Sequence, residues 1–286
     1  MKIEAAKNII DAQFLKAIYS DVDLDGFHPM RVIQALKSLI GINIEKPSIK
    51  LIEWGDNYLN NIKLFPDNHF KYSINKPKET IVLSNLGECI ASKNKNDCIS
   101  ELQDLCSVSD GNQIFEYLIE FSSEHGIHAI PFIWSAYRTN LFLKNKYCYQ
   151  LLFLCVNNLI RKKSDNIKSN SISEFEILCI IESIKNTSLT RQYKINRKLN
   201  NFTLDFSSHY KCETDMNRPI DVVGKGRKAI LDYLNNLDSE YITKEMILFL
   251  DSGRMVLKDS DRVDYQKLSN VLNYTIEGRL YVDINW

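Results

Sequence analysis

The residues best suited to chemistry in this chain are its histidines, two of which stand at the start of a helix. The first lies in Gly26-Phe27-His28-Pro29 and the second in Gly126-Ile127-His128-Ala129-Ile130-Pro131. Proline is favoured in the first helical turn, where its missing N–H would have had no partner. His28, Val32 and Leu36 then fall at i, i+4 and i+8 beside an apolar stripe of Ile33, Leu36 and Ile40, so the His28 imidazole is expected on a buried face. A buried imidazole needs a partner. Two neutral imidazoles projecting from separate helix starts can converge on one ion, and imidazole suits Fe(II). The plainer reading makes each a hydrogen-bonded core residue.

Other residues carry the same pair of readings. Arg138 sits on a mostly apolar helix, either as a buried ion pair with Asp21, Asp23 or Asp25, or as a clamp for an anionic substrate. His125 reads as a helix C-terminal residue, because Gly126 and Pro131 interrupt any helix shared with His128. His69 lies in a polar connection and reads as a surface residue. Asp21 to Gly26 lacks the closing Glu of a calcium loop and reads as a turn. Gly224-Lys225-Gly226-Arg227-Lys228 lacks the Gly-Lys-Ser/Thr ending of a phosphate loop. Trp54 and Tyr58, four apart, are placed to stack. With Trp134 and Tyr137 they are either core or the wall of an aromatic pocket.

The elements that must carry these groups are mostly helical. Apolar residues recur at helical spacing through 5–20, 29–41, 48–64, 96–106, 113–123, 132–143, 146–160 and 174–186. Two later stretches change period: Phe202, Leu204 and Phe206 alternate with polar residues, as do Leu280, Val282, Ile284 and Trp286. The expected fold is therefore mostly α, a multi-helix orthogonal or bundle-like array with a smaller, less helical C-terminal α+β part. The polar run from Ser164 to Ser173 suggests a helical domain over 1–163 and a C-terminal subdomain over 174–286.

Composition limits the partners. Lys plus Arg equals Asp plus Glu at 36 each, so no global basic field recruits nucleic acid or an acidic membrane. No apolar run approaches the roughly 18 residues of a membrane span, and the N-terminus turns charged too early for a signal peptide. The 7 cysteines show no C-x-x-C spacing and read as reduced core thiols, which places the expected protein in the cytoplasm.

His28-Pro29-Met30, then Gln34-Ala35-Leu36, then Trp54 with Tyr58, resembles the N-terminal signature of the questin oxidase-like family. His128, Ala136 and Arg138 match a second motif of that family in the same order. The resemblance covers roughly the first 160 residues. It implies a helical oxidoreductase that uses dioxygen on an organic, possibly aromatic, small molecule, with non-haem iron held by His28 and His128 and with Arg138 as a catalytic residue. The family carries further histidines in its C-terminal half, where this chain has His209 as a third metal ligand, and no carboxylate completes a facial triad. The other expectation is a non-catalytic helical binding or partner protein that keeps the scaffold with a degenerate metal site.

Overall fold

A computed structural model describes residues 1–24, 26–66, 69–70, 80–161, 174–200, 230–232 and 234–259. Among them the chain is helical, without strands. The first part comprises α1 (Ile3–Ile18), α2 (Pro29–Ile40), α3 (Ile49–Leu59), α4 (Leu83–Ala91), α5 (Lys95–Val108) and α6 (Asn112–His125). It continues with α7 (Ile130–Phe142), α8 (Cys148–Ile160), α9 (Glu174–Lys185), α10 (Gln192–Leu199) and α11 (Lys244–Asp259). The mostly α expectation holds. The expected strands at 200–206 and 279–286, and the glycine-rich segment at 224–228, lie outside the described residues.

The centre of the array is α2, of which every residue except Lys37 is buried. It packs against α1, α3, α7 and α11, while α9 lies against both α7 and α11. The expected apolar stripe is therefore only part of the buried surface. The opposite side carries Arg31, Gln34 and Ser38, which are also buried because α7 and α9 supply polar partners to them. The polar run after residue 163 consequently marks no break in packing, since α9 and α11 share one apolar core with α2 and α7.

Local chemistry sets the helix ends. Ser48 caps α3 by accepting from the Leu51 N–H, and Asn94 caps α5 through the Asp97 N–H. An antiparallel bridge between Ser20 and Leu64 joins the end of α1 to the segment after α3. It is closed by Asp21 N–H to Lys63 O and Phe65 N–H to Tyr19 O, both 2.7 Å. The segment from Thr80 to Cys89, ambiguous by sequence, enters α4 at Leu83 because Leu86 and Ile90, one turn apart, both reach the core. The basic stretch after residue 190 forms α10, held to α6 by charge. Glu120 takes Arg191 at 2.5 Å and Lys198 at 3.2 Å, and Glu116 accepts the Arg191 backbone N–H at 2.9 Å.

Gly111 opens α6 in the left-handed region, at φ 88°. A Cβ there would collide with the Cys148 sulfur at the start of α8. Both effects oppose any side chain. Gly111→Ala is expected to cost about 2 kcal/mol or more, read as a lower urea midpoint with an unchanged m-value.

Candidate functional site

His28 is completely buried and is the N-cap of α2. Its Nδ1 accepts the Met30 backbone N–H at 3.2 Å, so that nitrogen carries no proton. In the neutral ring the proton is then on Nε2, which lies 3.5 Å from the Ser20 hydroxyl oxygen. Ser20 directs its own hydrogen to the Ala17 carbonyl at 2.8 Å, leaving its oxygen as the acceptor. Phe132 of α7 closes the ring's surroundings edge-on, with centroids 5.5 Å apart. Both ring nitrogens therefore have internal work. Burial pushes the imidazole pKa down to about 3, because protonation would place a charge in the core and displace the cap.

His128 lies elsewhere in character. It is exposed on the single 3-10 turn Ile127–Ala129 that precedes α7, so the burial expected of it is not found. The reason is that Gly126 ends α6 and the turn is too short to present an apolar face. His209 lies outside the described residues. His125 closes α6, its ring stacked on Phe121 with centroids 4.1 Å apart. Among the described residues no group of three or more His, Cys, Asp or Glu side chains is arranged to hold a metal ion. His28 has no outward lone pair to offer while it caps α2. The donor set of the described residues thus does not fit an iron centre.

Arg138 is engaged inside the array. It reaches Asp251 of α11 at 3.0 Å, the Ser38 hydroxyl of α2 at 2.7 Å and the Met255 sulfur at 3.2 Å. The carboxylates expected as its partner are placed otherwise: Asp21 pairs with Lys63 and Asp23 with Arg161, while Asp25 lies outside the described residues. Arg254 donates to the second Asp251 oxygen at 2.8 Å. From Ser38 the network runs to Gln34, whose side-chain oxygen accepts from Thr139 of α7 at 3.2 Å. Burial pushes the Asp251 carboxyl up, but the Arg138 and Arg254 guanidiniums outweigh it and hold the group below the usual carboxylate range. Asp251 was legible only as an acid one turn after Ile247 on an apolar helix, a position that demands a partner without naming it.

The four aromatic residues divide into two pairs. Trp134 and Tyr137 are buried in the core. Trp54 and Tyr58 stack nearly parallel on α3, centroids 5.3 Å apart, and wall a surface groove of about 450 Å³. Its other side is the turn Ser239–Tyr241 with Ile242, whose carbonyl accepts the Trp54 indole N–H at 2.8 Å. Lys50, Glu53, Asn57 and Glu240 supply its polar rim. The Tyr58 hydroxyl donates to the Phe27 carbonyl at 3.3 Å, so the stack is fixed at both ends. Among the described residues no helix is long and apolar enough to cross a membrane.

No family model matches the chain, no curated protein matches it and no solved structure matches it.

Two outcomes follow for stability. His28 has a folded pKa below its unfolded value of 6.5, so the unfolded chain binds the extra proton between the two. Its contribution is complete above pH 6.5 and is lost as pH falls toward 3, by roughly 1 kcal/mol per pH unit. His28→Asn, which keeps a capping side chain, should flatten this slope between pH 6.5 and 4.5 in urea melts. Arg138→Met leaves Asp251 with Arg254 alone and should cost about 3 kcal/mol at neutral pH, with the deficit shrinking in acid as Asp251 protonates. Denaturation at pH 7 and pH 3 checks both magnitude and direction.

Proposed function

We propose that this chain is a non-catalytic helical binding protein, and that the groove against Trp54 and Tyr58 receives a flat organic molecule. The observation that carries the reading is the groove itself. A prestacked indole–phenol pair presents a rigid aromatic face at the surface, and such faces bind planar groups with little ordering cost. A volume of about 450 Å³ is in the range of small-molecule sites. Glu53, Asn57 and Glu240 offer hydrogen-bond acceptors at its edge.

The iron-dependent oxidoreductase implied by the questin oxidase-like resemblance is the competing proposal. It requires His28 to release the α2 cap and His128 to turn inward, and it requires ligands from beyond the described residues. The binding reading needs neither change.

Two measurements separate them. 2-Naphthol, as a flat neutral probe, should quench tryptophan fluorescence saturably, and Tyr58→Leu should weaken that binding about tenfold through loss of the stacked wall. Quenching that stays linear in probe concentration, or that ignores the substitution, overturns the proposal. Anaerobic Fe(II) loading should leave no stoichiometric iron. His28→Ala should instead lower the Tm by several degrees, through a lost cap and a buried void together worth about 2–3 kcal/mol. Stoichiometric iron that disappears in both His28→Ala and His128→Ala would establish the oxidoreductase reading in its place.

A further inference from the structure

A second depression shares no lining residue with the aromatic groove. It lies between α1 and the turn joining α7 to α8, encloses about 240 Å³, and is lined by Lys7, Asp11, Leu15, Phe142, Lys144, Lys146 and Tyr147, among others. Three lysines and one carboxylate are among its lining residues. The carboxylate is itself unusual: Asp11 Oδ1 is buried and has no hydrogen-bond partner among the described residues. A buried acceptor without a donor is costly.

The lysine-bearing turn is strained as well as charged. Lys144 and Asn145 are consecutive non-glycine residues in the left-handed region, at φ 52° and 64°. Such backbone is uncommon and persists where the surroundings over-determine it. Here Asn140 does so, its side-chain amide donating to the Asn145 side chain at 2.7 Å and its carbonyl accepting the Asn145 N–H at 3.0 Å. The result is that Lys144 and Lys146 are carried on a rigid turn, with Lys146 lying over the Tyr147 ring at 5.2 Å.

We infer that the cleft between α1 and the α7–α8 turn binds a small anion carrying its own ammonium group, the anionic group meeting Lys7, Lys144 and Lys146 and the ammonium group meeting the Asp11 carboxylate. The lysines select a phosphate or carboxylate, since ammonium groups act as point charges toward either. Asp11 repels a bare anion and favours one that also carries an ammonium group. The volume restricts the ligand to a few heavy atoms beyond the anionic group.

Calorimetric titration of the full chain with phosphoethanolamine, β-alanine and inorganic phosphate tests the assignment at low salt. Saturable binding of phosphoethanolamine or β-alanine is expected, and the tighter of the two identifies the anionic group. Inorganic phosphate should bind about tenfold more weakly than phosphoethanolamine, for want of an ammonium group to meet Asp11. The double reversal Lys144→Glu/Lys146→Glu, at exposed positions, should weaken binding at least about tenfold while circular dichroism stays unchanged. Asp11→Ala should erase the preference of phosphoethanolamine over inorganic phosphate. Absence of saturable heat with all three probes overturns the proposal. So does binding indifferent to the double reversal, or a wild-type protein that takes inorganic phosphate as tightly as phosphoethanolamine.

Discussion

A helix buried on nearly every side can leave few polar groups to water, and α2 is such a helix: Lys37 alone reaches the surface, while four other polar side chains stand at its start or along its length. His28, Arg31, Gln34 and Ser38 are all buried. Each unsatisfied group would cost on the order of 1–3 kcal/mol, more for the charged one. Ser20 answers His28, and the Gly26 carbonyl with Glu176 of α9 answers Arg31. Thr139 of α7 answers Gln34, and Arg138 of α7 answers Ser38. Asp251 of α11 then holds Arg138. The demand for partners therefore fixes which helices surround α2 and in what rotation.

Apolar packing supplies most of the stabilisation, but it is weakly directional. Phe14, Ile33, Leu36, Leu51, Phe115 and Ile133 would tolerate several mutual rotations of their helices at modest cost. The Arg138–Asp251–Arg254 arrangement would not, because breaking one contact leaves a buried charge exposed to low dielectric. A second charged set, Glu116, Glu120, Arg191 and Lys198, locates α10 on α6. That short helix turns Ile195 and Leu199 into the core and relies on its ion pairs for the rest of its placement.

The same economy bears on chemistry. Groups that look reactive in the chain, an imidazole at a helix start and an arginine on an apolar helix, are occupied in holding the array together. Surface depressions lie instead at the rim, where α3 faces the 239–242 turn and where α1 faces the α7–α8 turn. Those places are assembled from segments far apart in the chain, and their residues are ordinary surface types.

The helical class, the burial of His28, its place at the start of α2, the stacking of Trp54 on Tyr58 and the closure of α6 at His125 were all readable from spacing and turn chemistry, because they depend on neighbours within about two turns. The partner of Arg138 was not. Asp21, Asp23 and Asp25 matched it in charge at a comparable separation along the chain, yet Asp251 holds it, because α11 packs on α2, which also carries Ser38, the other partner of Arg138. Nor was the exposure of His128, since the motif Gly-x-His before a Pro-bearing helix is common to both sites while the preceding turn differs. Sequence alone decided most of the helical segments to within a few residues of their ends, as local hydrogen bonding and apolar period dictate. Tertiary structure alone decided which polar groups meet, because an ion pair or a groove depends on the rotation of helices that no local pattern encodes.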